Sequence, residues 1–321
     1  MKKTISIITP CYNEEEGIRD CYEAVQKIFK EELSNYDLEH IFCDNASTDG
    51  TVDLLREMAA ENPQVKLILN ARNFGPMRSH FNGVKNATGD LALLFLPADL
   101  QDPPELLPKF VKLSEEGYEI VYGIRDQREE AWPMLFVRKL YYRILSKISY
   151  VDMPPDVGDF QLVDRQVLKE LQKFNDSYPF VRAMTFEIGF KKIGVPYLNK
   201  ERKKGVSKNH LFHLIDQGLN GLISFSTAPM RVALFFGLTI SALSILFAVV
   251  NTILFFIIDQ DVQRGTMLLI TSLFFFGGVQ LLFIGFLGEY IIAIYNQVRK
   301  RPLVIERERV NFDDENDDTR P

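Results

Sequence analysis

Cysteine is scarce in this chain of 321 residues: Cys11, Cys21 and Cys43 are the three present. An odd number without metal-ligand spacing argues against a disulfide framework and a cysteine zinc site, so all three read as reduced, small apolar fillers. Two glycine-rich signatures are missing as well. Without Gly-x-Gly-x-x-Gly a dinucleotide fold is disfavoured, and without Gly-x-x-x-x-Gly-Lys-Ser/Thr so is a P-loop hydrolase. Met1-Lys2-Lys3 is basic, but the short apolar stretch behind it runs into Asn13-Glu14-Glu15-Glu16 and is expected to be a first strand and not a signal peptide. His210 and His213 have no further ligand candidates nearby and do not make a zinc site.

Charge is missing altogether from Val232 to Ile258. At about 1.5 Å per residue that run exceeds the roughly 30 Å hydrocarbon core of a bilayer. A second uncharged run, Thr266 to Gly288, is also long enough, and Glu289 to Val298 continues its helix into the interface. The expectation is a domain over residues 1–209, an amphipathic interfacial helix over 210–230, two spans over 232–258 and 266–294, and a basic flank with an acidic, disordered tail over 299–321. Arg231 before the first span and Arg299, Lys300 and Arg301 after the second place both termini in the cytoplasm of a multi-pass inner (plasma) membrane protein. The net charge of −6 owes much to the tail and says little about the substrate; nucleic acid is not an expected partner. Gly277, Gly278, Gly285 and Gly288 suit close helix packing, within one chain or in a homo-oligomer.

Before the spans, short apolar runs alternate with helical patterns. Strands are expected over Ile5–Thr9, His40–Cys43, Val65–Leu69, Leu91–Leu96 and Ile120–Tyr122, with helices over Glu15–Lys30 and Met77–Ala87. Such alternation is the pattern of an α/β fold with a doubly wound, mostly parallel sheet. Ligands collect outside the carboxyl ends of such strands, and there the sequence puts Tyr12-Asn13-Glu14, Asp44 to Thr51, Arg72 and Asp99. Asp99 caps nothing evident and suits a phosphate-bound divalent cation, whereas Asp102, ahead of Pro103, reads as a helix N-cap. The segment 129–149, with Trp132, Tyr141 and Tyr142, reads as a helix packed on the sheet or lying on the membrane.

Four segments in order, Ile8-Thr9-Pro10-Cys11-Tyr12-Asn13-Glu14, Asp44 to Thr51, Asp99-Leu100-Gln101-Asp102-Pro103-Pro104-Glu105 and Gly158-Asp159-Phe160-Gln161-Leu162, resemble the family-two glycosyltransferases of GT-A fold. Together with the membrane hairpin, they look most like the polyprenyl-phosphate branch, which includes bactoprenol glucosyltransferases and dolichyl-phosphate mannose synthases. The resemblance implies an inverting transfer from a nucleotide-sugar, UDP-sugar favoured, to polyprenyl (undecaprenyl) phosphate. It assigns Pro10, Tyr12, Glu14, Asp44 and Arg72 to the donor and Asp99 to Mg²⁺ or Mn²⁺. Asp159 falls near the sugar and the acceptor, and Arg202, Ser207 and Lys208 on phosphate. Two positions depart from the family pattern: Pro97 replaces the first carboxylate of Asp-x-Asp, and Asn45 stands where many relatives carry a second Asp. A transferase acting on another lipid or a growing polysaccharide, or a lapsed lipid-binding scaffold, is the rival reading.

Overall fold

The computed structural model describes residues 2–125, 154, 157–198, 262–299 and 301–312, with scattered positions between 235 and 250. The first span, apart from those positions, the segment 129–149, the interfacial helix over 210–230 and the tail from 313 onward lie outside the described residues, as do Arg202, Ser207 and Lys208.

Parallel strands buried on both faces read as mostly apolar runs, and β1 (Lys3–Cys11) and β2 (Tyr36–Asp44) are buried along nearly their whole length, with Ser6, Thr9, Glu39 and His40 among the buried polar exceptions. Between them α1 (Ile18–Glu31) turns Ile18, Cys21, Val25, Ile28 and Phe29 inward at helical spacing. Then follow α2 (Thr51–Glu61), β3 (Val65–Asn70), α3 (Pro76–Asn86), β4 (Leu91–Leu93), a 3₁₀ turn (Pro104–Leu106) leading into α4 (Leu107–Glu115), and β5 (Ile120–Arg125). Beyond them come β6 (Val157–Asp164), α5 (Arg165–Lys173), α6 (Val181–Glu187), β7 (Lys192–Tyr197), the long α7 (Val262–Val298) and β8 (Glu306–Val310).

The sheet order is β7-β5-β6-β4-β1-β2-β3-β8. β4, β1, β2 and β3 form the parallel centre, and β5 is parallel to β7. β6 runs antiparallel to both β4 and β5, and β8 antiparallel to β3. The sheet is therefore a mixed α/β sheet of GT-A type and not the mostly parallel one expected. The reason is that β6 and β8 carry polar or charged residues, Gly158-Asp159 and Glu306-Arg307-Glu308-Arg309 among them, and β7 carries Gly194 and Pro196, all of which hide the strand pattern. In particular, 306–310, grouped above with the flank and tail, is a strand that closes one edge of the sheet. Lys191 and Lys192 sit where β7 begins, over the rings of Tyr118 and Phe186 at 4.4 and 4.9 Å.

The regular ladder of β4 stops at Leu93, but the buried run continues: Leu94 N–H donates to the Gln161 carbonyl at 2.8 Å and Leu96 N–H to that of Ile8 at 2.9 Å. Cys11, Cys21 and Cys43 are free and buried, as expected. Burial pushes the Cys21 thiol up to about 12 and those of Cys11 and Cys43 well upward. In a separate compact unit, α7 holds a stretch, Phe275–Val298, of mean hydropathy 1.7, long and apolar enough to cross a membrane. It is the one such helix among the described residues; its partner in the expected hairpin lies outside them.

Candidate active site

Four strand ends build one edge of the sheet. Cys11, at the end of β1, is in register with Asp44 at the end of β2, and Asp44 with Leu69 near the end of β3. β6 enters from the same edge because it is antiparallel to β4, so Asp159 lies beyond Leu94 on the side toward Asp99. The topology thus brings Pro10, Tyr12, Glu14, Asp44, Arg72, Asp99 and Asp159 to a common edge, each on a different loop or strand end from most of the others.

Side chains stitch these loops together. Thr48 N–H donates to Asn13 Oδ1 at 2.8 Å, Asn13 N–H to Ser47 Oγ at 2.9 Å, and Glu14 N–H to Thr51 Oγ1 at 3.0 Å. The Asp44 carboxylate is buried and accepts from both the N–H, at 3.0 Å, and the hydroxyl of Ser47. Burial raises its pKa, against the pull of those two bonds. Asn45, the departure from the family pattern, works as a bridge: its Nδ2 donates to Asn73 Oδ1 at 2.9 Å while its Oδ1 accepts from Phe74 N–H at 2.9 Å. Asn73 Oδ1 also accepts from Gly75 N–H at 2.9 Å, and Gly75, at φ +90°, takes a left-handed turn open to glycine just before Pro76 starts α3. Arg72 on this loop is exposed, its guanidinium 3.9 Å from the Phe74 ring centroid.

Backbone strain gathers at the same edge. Asn13, Ala46 and Leu100 have φ of 54°, 63° and 54°, conformations that cost a side-chain-bearing residue about 1 kcal/mol or more and cluster at functional loops. They lie in the loops after β1, β2 and β4. Gln101 N–H donates to Asp99 Oδ1 at 3.2 Å, and a Cβ on Gly17 would come 3.3 Å from the Ala98 carbonyl oxygen, so the first loop packs on the backbone beside Asp99.

Asp102 does not act as the expected cap. Pro103 occupies the capping position of the 3₁₀ turn without a side-chain bond, and the buried Asp102 carboxylate is paired with Arg125, at 2.9 Å from Nη2, and accepts from the Tyr197 hydroxyl. A buried charge needs a partner more than a helix end needs a cap. Asp159 lies within β6 with its Oδ2 3.2 Å from Arg182 Nη2.

Sequence reading missed Arg125, Tyr197, His80 and Arg182. Arg125 ends β5 and answers to the same strand-end rule that found Asp44 and Asp99. His80 is buried on α3 with Nε2 2.6 Å from the Leu94 carbonyl oxygen, and burial lowers its pKa. Neither His80 nor Arg182 belongs to a spacing motif; contact alone identifies them.

Among the described residues no three His, Cys, Asp or Glu side chains converge as a metal site. Asp99 offers one carboxylate, a set that fits a cation which keeps waters and takes its remaining ligands from a substrate's phosphates.

A mixed α/β sheet with polar, strained loops and carboxylates at one edge is the arrangement the GT-A resemblance implies. Residues 6–172 match the model of Glycosyl transferase family 2, and the chain belongs to that family. It is 35% identical over 301 residues to an uncharacterized glycosyltransferase, YkcC, of Bacillus subtilis, covering 94% of this chain and 92% of that one. It is 33% identical over 309 residues to the bactoprenol glucosyl transferase of Shigella phage SfX, covering 95% and 99%. Among solved structures, the mannosyltransferase PcManGT from Pyrobaculum calidifontis in complex with GDP-Man and Mn²⁺ is similar at a TM-score of 0.47 and 17% identity, covering 94% of this chain and 87% of that one.

Proposed function

We propose that this glycosyltransferase moves one sugar from a nucleoside-diphosphate donor, UDP-sugar favoured, to a polyprenyl phosphate at the cytoplasmic face of the membrane, giving a β-linked polyprenyl-phosphate sugar for cell-envelope glycans. The observation that carries the reading is the gathering of Asp44, Asp99 and Asp159 at one sheet edge. Near-full-length similarity to a bactoprenol glucosyl transferase supports the lipid acceptor.

In this reading Pro10, Tyr12 and Glu14 contact the nucleotide, Asp44 accepts a hydrogen bond from a base N–H, and Arg72 reaches the diphosphate. Asp99 would hold Mg²⁺ or Mn²⁺, which when bound neutralises charge on the departing diphosphate. An acceptor phosphate oxygen forms a bond to the anomeric carbon as the bond from that carbon to the diphosphate oxygen breaks, with inversion, and the nucleoside diphosphate leaves. The second pKa of a phosphate monoester lies near 6, so the attacking oxygen is already largely anionic and no proton has to be removed. Asp159 therefore orients the sugar or acceptor, or helps hold the metal, more than it acts as a base. Arg202, Ser207 and Lys208 serve as phosphate contacts, since arginine meets phosphate oxygens two at a time. An amphipathic helix over 210–230, if it lies in the headgroup region as its sequence suggests, would serve a lipid acceptor.

The test is transfer of radiolabelled sugar from a panel of UDP- and GDP-sugars to undecaprenyl phosphate in membranes holding the full chain. A labelled lipid, cleaved by mild acid, is expected with one donor and lost with EDTA or Asp99→Ala. If no donor labels the lipid although nucleotide still binds, the reading fails.

A further inference from the structure

Helix α6 grips β6 at two alternate residues. Arg182 and Thr185, three apart, share one face of the helix, and Asp159 and Gln161, two apart, share one face of the strand. Arg182 Nη2 meets Asp159 Oδ2 at 3.2 Å and the Thr185 hydroxyl donates to Gln161 Oε1 at 2.7 Å. Gln161 is fully buried, its Nε2 donates to the Gly158 carbonyl at 3.1 Å, and its own carbonyl takes the N–H of Leu94, from which the chain runs on to Asp99.

The donors of Arg182 are unevenly used. Nη1 donates to the Val157 carbonyl at 2.9 Å, Nη2 faces Asp159, and Nε is buried without a partner among the described residues. A buried polar atom left unsatisfied is a cost that packing alone would remove. Both partners keep nearly a fifth of their side-chain surface exposed, 18% for Arg182 and 19% for Asp159, so the pair adds little to stability. His80, which Asp159 also influences, is buried, and burial lowers its pKa against the pull of Asp159, so its ring favours the neutral form. Arg182 is thus the cation that answers Asp159.

We infer that Arg182 is a positioning residue: through its ion pair it fixes the Asp159 carboxylate toward the reacting sugar, with Thr185 and Gln161 holding the same strand in line with the Asp99 loop. The inference rests on the sugar transfer proposed above. It assigns Arg182 a role that acts through Asp159 and has no separate contact with the nucleotide.

The experiment compares full-length wild type, Asp159→Asn, Arg182→Gln and the double variant in the labelled-lipid assay, with nucleotide binding and thermal unfolding measured alongside. Arg182→Gln is expected to lower kcat about tenfold or more, as small misplacements of a catalytic group do, with donor KM little changed. The double variant is expected to be no slower than Asp159→Asn, because two residues acting as one unit do not lose activity additively. Guanidinium ion added to Arg182→Ala should restore part of kcat. Wild-type kcat in Arg182→Gln, additive losses in the double variant, or a loss confined to donor KM would each overturn the inference. Should Arg182→Gln fail to fold, Arg182→Lys decides: a kcat equal to wild type overturns the inference, since a point charge cannot hold the same planar contacts. An inactive wild type would instead count against the proposed reaction.

Discussion

Arg125 Nη2 lies 2.9 Å from both carboxylate oxygens of Asp102, and this pair joins the end of β5 to the loop that follows Asp99. Tyr197, at the end of β7, completes it with its hydroxyl 3.0 Å from Arg125 Nε. Asp102 raises the pKa of Arg125 against the opposing effect of burial, and burial, followed by Asp102, raises that of Tyr197, so Arg125 stays charged and Tyr197 neutral near neutral pH. Breaking the pair by Asp102→Asn should destabilise the fold by about 3 kcal/mol, toward the low end for a buried pair because Arg125 keeps some exposure. Thermal unfolding of the full chain in detergent reads this, and Asp102→Leu with Arg125→Met should recover part of the loss.

Acid should weaken the fold in two stages. His40 is fully buried, its Nε2 2.9 Å from Thr9 Oγ1, and burial pushes its pKa from 6.5 down to about 3. The unfolded chain takes up that proton near pH 6.5 and the fold does not, so stability falls as pH drops from 6.5 toward 3, by at most about 1.4 kcal/mol per pH unit. Glu39 adds to the loss at lower pH. Burial alone would raise its carboxyl, but Lys66, Ser6 and Thr88 outweigh that and hold it below 4.5, so its contribution is present above that value and lost beneath it. Melting temperatures between pH 7.5 and 4 should decline less steeply in His40→Asn than in wild type; an equal slope above pH 5 would contradict the assignment.

Removing β8 should expose β3 as an open edge. Beyond its ladder, β8 is tied down by Arg56 to Glu308 at 2.5 Å, and just past it Asn311 donates to the Ala59 and Val65 carbonyls at 2.8 Å each. A chain ending at Pro302 is expected to melt lower and to aggregate, since an unpaired strand edge templates association. Size-exclusion profiles before and after mild heating measure it.

Asn45 needs both halves of its amide. An aspartate there would face Asn73 Oδ1, and turning Asn73 round would cost the bond from Gly75 N–H. Asn45→Asp is therefore expected to shift the Arg72 loop and raise donor KM about tenfold, the equivalent of one hydrogen bond, with a smaller change in kcat. Steady-state kinetics against donor concentration separates the two.

Much of this molecule was legible from the chain alone, for local reasons. Short apolar runs ending in carboxylates or turn residues marked β1 to β4 and placed Asp44 and Asp99 at one edge, because a strand buried on both faces is mostly apolar. Burial of Cys11, Cys21 and Cys43 and the apolar length of α7 followed in the same way. Long-range pairing decided the rest. That β6 runs antiparallel between β4 and β5, that Glu306 to Val310 returns to the edge of β3, that Asp102 answers Arg125 instead of capping a turn, and that Arg182 answers Asp159 all depend on partners far apart in sequence. No residue spacing records those meetings, because a charged side chain's partner is chosen by the need to satisfy it where the folded chain buries it.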